Sequence, residues 1–374
     1  MSVTPAPDED DHPDTHPPQP VYYAEQALLG ALLLQPHRLN DITEIEPDAF
    51  SHPAHRALFT AIRTLAAPDP AQHAKNTKWL DEVLATAHEH TRGLTTSYLH
   101  TLIQICPSPS HASAYTRMIE TDHARRTLEH HAHRLTQTAT DATLSQPVAA
   151  TLAAADALTA CLADLAARFP PHPGSLPRTP APPPPQAQDA DDEAVDEERF
   201  LLATATAHPA ETAQMRWLTV QDFTHPLHAG LWQCLTALTR RGAPVDPVTV
   251  LWEAQQRGLL TAGVEPAGLL NLLTATAGSP QYWGERILQR SLLTTAHETG
   301  RRIEAYTDDP ATTPYQLVIG SRRALADLNA LRTRWDHATS PTPPGSRPTR
   351  TRAATPPRTG PPRTATPPTT RISR

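Results

Sequence analysis

The chain has 374 residues, with 41 Pro, 14 Gly, and 32 Lys and Arg against 39 Asp and Glu, a net charge of -7. Only Lys75 and Lys78 are lysines, and neither follows a glycine or precedes Ser or Thr. A nucleotide-binding P-loop needs Gly-Lys-Ser/Thr, because the lysine reaches the β- and γ-phosphates, so ATPase chemistry of that form is excluded.

The prolines cluster: residues 1–20, 170–193 and 337–374 hold 25 of the 41. That spacing predicts two folded blocks with a disordered head, spacer and tail, giving domains 21–169 and 194–336. The head carries -5, the spacer -3 and the tail +7, which leaves -6 on the blocks. A body of that sign is no general nucleic-acid binder. The acidic start of the chain is unlike a secretory signal, and Cys106, Cys161 and Cys234 form no CxxC pair, so a soluble cytoplasmic protein without a membrane anchor is expected.

Hydrophobic spacing is helical throughout, which predicts an all-α fold. A first helix carries Leu28, Ala31 and Leu32. Pro53 opens a second over Leu58, Phe59, Ile62 and Leu65, and further stripes follow at Trp79–Ala87 and Leu99–Cys106. A long helix from about Ser110 is expected to bury Tyr115, Met118, Ile119 and Leu128. Pro147 opens its partner, whose Val148, Leu152, Ala155, Leu158, Leu162, Leu165 and Phe169 form a narrow seam. The block therefore reads as a helical globule followed by a hairpin, whose seam packs within itself or against another copy.

A shift of 173 residues lays 24–65 over 197–238 without a gap. Matches include Glu25/Glu198, Leu28/Leu201, Leu29/Leu202, Phe50/Phe223, His52/His225, Pro53/Pro226 and His55/His228, with Phe59 facing Trp232. Further on the shift falls to about 167–169, pairing Arg117-Met118-Ile119 with Arg286-Ile287-Leu288 and Pro147 with Pro314. So long a period marks a duplicated domain rather than a solenoid. Two such copies can act as a covalent pseudo-dimer, or pair with other chains.

Glu25-Gln26-Ala27-Leu28-Leu29-Gly30-Ala31-Leu32-Leu33-Leu34, followed by Pro36, resembles the opening helix of the N-terminal domain of DnaB-type replicative helicases. Phe50, Pro53, His55 and Phe59 resemble that domain's next signature, echoed by Phe223, Pro226, His228 and Trp232. Gly242–Val250 with Gly258-Leu259-Leu260, and in the first block Tyr98–Pro107, Tyr115, Arg117, Ile119 and Arg125-Arg126, are similar to its later parts. The resemblance implies a helical globule plus a dimerising hairpin, without an active site, that docks primase and loading factors above a motor ring. Nothing resembling the RecA-type motor follows within these residues. The first block has Ala71–Asn76 where Pro-x-Asp-Pro-x-Thr is expected. The second has Ala203-Thr204-Ala205-Thr206-Ala207 in place of the apolar run.

No catalytic residue, cofactor site or metal site is assigned. His52/His55 and His225/His228 lie at i,i+3, but no Cys or carboxylate stands nearby at fixed spacing, so local packing is the simpler role. Glu129, His130, His131 and His133 read as a solvated helix face. In the tail, Arg347, Arg350, Arg352, Arg358 and Arg363 are candidate weak, sequence-independent phosphate contacts. The expected function is a non-catalytic replication adaptor binding helicase, primase or loader. The alternatives are an accessory subunit of a helicase whose motor is on another chain, and nucleic-acid binding through the tail.

Overall fold

The computed structural model describes residues 19–42, 45–171, 192–261 and 263–340, and among these there is no β-strand. The first copy comprises α1 (Pro20–Leu34), α2 (Pro53–Thr64), α3 (Pro70–His73), α4 (Lys78–His88), α5 (Thr96–Ile105), α6 (Ala112–Thr140) and α7 (Pro147–Arg168). The second comprises α8 (Asp192–Ala207), α9 (Pro209–Thr212), α10 (Pro226–Arg241), α11 (Pro247–Gln256), α12 (Pro266–Leu272), α13 (Pro280–Asp308) and α14 (Pro314–Thr339). Ten of these fourteen helices begin with Pro, which explains how a proline-rich chain stays helical. At the first position the missing N–H has no intrahelical partner to lose, and φ is already set.

Each globule is built around one helix. Every residue of α1 from Ala24 to Leu33 is buried, as expected of a helix apolar on all sides. Around it α2, α4, α5 and the start of α6 bring Phe50, Phe59, Val83, Leu99 and Ile119 into one core. Gly30 sets how closely α5 approaches, because a Cβ there would collide with the Leu102 carbonyl oxygen and lie 2.9 Å from the Cys106 Cβ. In the second copy α8 takes the central place. Its Thr204 and Thr206 are buried, with hydroxyls donating to the Phe200 and Leu202 carbonyls at 2.6 and 2.7 Å. Turned onto their own helix, these threonines enter the core without an unsatisfied hydroxyl, so the polar-looking run does not interrupt the globule.

The long helices form a third core. Leu128, Ala132 and Leu135 of α6, Leu158, Leu162 and Leu165 of α7, Leu292, Ala296 and Ile303 of α13, and Leu317, Leu325 and Leu328 of α14 form one continuous cluster. The two hairpins thus make a four-helix bundle inside a single chain. Arg125 of α6 meets residues 307–312, whereas Thr136 meets Glu304, so α6 and α13 run antiparallel. Gly300 makes the crossing close: a Cβ there would lie 2.9 Å from the Ala132 carbonyl oxygen and collide with the Thr136 hydroxyl.

Helix α7 is long and apolar enough to cross a membrane by composition, but its leucine seam is buried in this bundle. One expectation for α6 fails: Met118 is 56% exposed, and Thr116 is buried instead. The buried face runs Ala112, Tyr115, Thr116, Ile119 and then skips to Ala124, because α6 turns from the globule core to the bundle core.

Candidate docking interface

The signature residues lie in the globule interiors. Glu25, Leu28, Leu29, Phe50, His55 and Phe59 are fully buried, and Pro53 starts α2 at the surface. Glu198, Leu201, Leu202, His228 and Trp232 are buried in the second copy, Phe223 is half-buried and Pro226 opens α10.

In each i,i+3 pair one histidine has a carboxylate partner, which lies 30 residues away rather than nearby in sequence. Oε1 of Glu25 accepts from the Ser51 N–H at 2.5 Å and from its hydroxyl at 2.7 Å, and Oε2 lies 2.6 Å from Nδ1 of His55. Glu198 repeats this with Thr224 N–H at 2.6 Å, its hydroxyl at 2.7 Å and His228 Nδ1 at 2.8 Å. Both Glu–His separations are 30 residues, a constancy that the repeat alignment carried but that proximity in sequence could not reveal. Burial alone would raise the Glu25 carboxyl, but the bonds from His55 and Ser51 outweigh it and hold it below the usual carboxylate range. Burial pushes the first histidine of each pair, His52 and His225, below the ordinary imidazole value.

The copies diverge on the far side of the ring. Nε2 of His55 is 2.7 Å from the Tyr98 hydroxyl, so the imidazole links Glu25 of α1 to Tyr98 of α5. No described residue reaches Nε2 of His228. The position matching Gly30 is the buried Ala203, and α12 is shorter than α5, so α12 does not close over α8 in the same way. With side-chain exposures of 0% and 0% in the first pair and 3% and 0% in the second, these networks fasten α1 to α2 and α8 to α10 and present little to solvent.

The outward surfaces also differ. Val248 and Trp252, one turn apart on α11, are 64% and 62% exposed, beside an Arg241–Glu253–Arg257 ion-pair cluster. On the first copy Tyr23 and Met118 are 58% and 56% exposed. Where the second copy meets its long helix, Glu197 is held by Arg286 and Arg290. The first copy has Ala24 and Met118 there and leaves a groove of about 1090 Å³, which Arg125 and Pro310 also line.

Among the remaining candidates, Glu129 and His130 face solvent, and His133 turns to Glu304 of α13 at 3.4 Å. No group of three potential metal ligands occurs among the described residues. The tail arginines Arg347, Arg350, Arg352, Arg358 and Arg363 lie outside the described residues. All three cysteines are free, Cys234 buried and Cys106 and Cys161 half-buried, and burial pushes the Cys234 thiol up to about 11.

No solved structure matches the chain. The family model for the DnaB-like helicase N-terminal domain matches residues 16–121 and again residues 190–283. These stretches contain the two globules and the first part of each long helix. Together they cover just over half of the sequence, and no ATPase domain is matched. With two copies of the same helical globule in the same order, the chain belongs to the DnaB-like helicase N-terminal domain family.

Proposed function

We propose that this protein is a non-catalytic docking factor in DNA replication that binds a replicative helicase, its primase or its loader through the outer faces of its two globules. The observation that supports this is the internal bundle: the hairpin seams are buried against one another within one chain. A hairpin so occupied has no seam to offer another chain, whereas Val248 and Trp252 on the second globule remain exposed. On this reading the chain works in the cytoplasm without a bound cofactor. The test is affinity capture of the full chain from its native cell with identification of the recovered proteins. Recovery of helicase, primase or loader in fixed ratio is expected. Recovery of none of the three would overturn the reading, and ATP hydrolysis by the pure protein would refute its non-catalytic part.

A further inference from the structure

The repeat allows one place in the fold to be compared with itself. In the first copy, Arg63 of α2 bridges to the preceding loop: its guanidinium donates to the Ile45 carbonyl at 3.1 Å and to Glu46 at 2.7 Å, and lies 5.9 Å from the Phe59 ring centroid. The same positions in the second copy are Thr236, Leu218, Thr219 and Trp232. Trp232 itself takes the carbonyl, donating from Nε1 to Leu218 at 3.3 Å. The Thr236 hydroxyl turns back to the Trp232 carbonyl at 2.9 Å, and Thr219 is engaged by Asp222. With Thr236 in place of the arginine, a groove of about 740 Å³ is left open.

Its chemistry is one-sided. Met215, Leu218 and Trp232 lie buried beneath it, and its open apolar surface comes from Ala213 and Val220, the latter 40% exposed, with the half-buried Thr219, Thr236 and Thr239. Arg216 and Arg240 line the rim, both exposed, and neither has an ion-pair partner among the described residues. No carboxylate lines the groove. In a body whose net charge is negative, two unpaired guanidinium groups over an apolar trough suit a ligand with carboxylates flanking an apolar anchor.

We infer that this groove on the second globule binds an acidic peptide segment of a partner protein, with an apolar side chain in the trough and carboxylates on Arg216 and Arg240. Nucleic acid fits less well: two cations make no backbone track, and the Trp232 indole is 1% exposed and cannot stack on a base. The inference rests on the docking reading and names a surface and a partner chemistry for it.

The test is fluorescence anisotropy with the full chain and three labelled probes. These are a short peptide of alternating Asp or Glu with a central Leu and Phe, the same peptide with Lys at every acidic position, and an oligothymidylate of equal charge. Saturable binding of the acidic peptide is expected, weakened about tenfold or more in R216E/R240E. The rim variants should keep the parent helicity, because both arginines are exposed. Equal binding by R216E/R240E, preference for the Lys peptide or the oligothymidylate, or no saturable binding would each overturn the inference. Capture of helicase or primase by R216E/R240E at the parent level would also overturn it, while leaving the docking reading intact.

Discussion

Thr136 of the first copy donates its hydroxyl to Glu304 of the second at 3.1 Å, and the two residues are separated by 168 positions. That is also the offset between α6 (Ala112–Thr140) and α13 (Pro280–Asp308), so each residue meets its own counterpart. Ala132 and Gly300 stand in the same relation, and contact between counterparts places a pseudo-two-fold axis at this crossing. A self-complementary contact of this kind normally joins separate chains; here it is made within one.

The crossing depends on Gly300. A methyl at that position would press on backbone at Ala132, which cannot turn away as a side-chain end could. We expect G300A to lose about 1–3 kcal/mol of stability, since overpacking outweighs the gain of about 1 kcal/mol in helix propensity. G300L should separate the hairpins and let the chains associate. Urea midpoints and sedimentation check this, and a G300A protein at least as stable as the parent would remove the crossing from its central role.

The Glu25–His55 network predicts a stability loss on the acid side. The folded carboxyl of Glu25 lies below its ordinary value, so ionised Glu25 stabilises the fold fully above the unfolded carboxylate range. That contribution is lost as pH falls through the folded value. E25Q should therefore cost about 1–3 kcal/mol near neutrality, where a buried charge-assisted bond is broken, and the difference from the parent should shrink as pH falls below the ordinary carboxylate range. Y98F should cost about 1 kcal/mol through the lost bond to His55. Denaturation curves across pH read out both, and a constant E25Q deficit down to acid pH would contradict the assignment.

Much of this was legible in the residues, and the limits have physical causes. Duplication, helical class and the paired signature positions follow from periodicity and self-alignment, because core residues repeat at fixed intervals. Met118 misled because its helix serves two cores and shifts its buried face between Ile119 and Ala124, which a single helical period cannot express. Glu25 as partner of His55 was hidden because the contact joins α1 to α2 across 30 residues. The offset read as Arg117/Arg286 becomes Ile119/Ile287 once helix ends and burial fix the phase. That the two hairpins choose each other was undetermined, since an a/d-like seam does not specify its partner.

Arg125 makes the pseudo-dimer unequal. Its guanidinium donates to the carbonyls of Thr307 at 2.9 Å, Asp309 at 2.8 Å, Pro310 at 3.3 Å and Thr312 at 2.7 Å, capping α13 and shaping the turn into α14. The counterpart on α13 is Leu293, so α6 receives no such clamp. R125M should cost about 2–3 kcal/mol, the scale of hydrogen bonds to a charged group, and should raise amide exchange around 307–312. L293R, by contrast, should change exchange near 139–143. If R125M left exchange at 307–312 unaltered, the clamp would have no energetic role.

The second globule is tied to its own hairpin by Asp222, whose side chain is 1% exposed. Its carboxylate takes two bonds from Arg334, at 2.6 and 2.9 Å, and others from the Thr219 N–H at 2.7 Å and the Ser291 hydroxyl at 2.9 Å. Removing the guanidinium strands a buried charge, whereas removing both groups does not. R334M should therefore cost about 3 kcal/mol or more, and D222L/R334M should recover a substantial part of that loss, because a buried ion pair is replaceable by apolar packing more cheaply than it is broken. The first copy has no such pair: Arg126 reaches the Ala49 carbonyl at 2.6 Å instead. R126M should accordingly cost less, about 1–2 kcal/mol, since the carboxylate it leaves behind, Asp122, is partly exposed to solvent, and otherwise only the Ala49 carbonyl loses its partner. A double-mutant cycle on Asp222 and Arg334 measures the coupling directly, and a coupling energy within error of zero would mean that the second globule is held to its hairpin by its other contacts, Glu197 with Arg286 and Arg290 and the packing of Ile287, Leu288, Leu331 and Ala338.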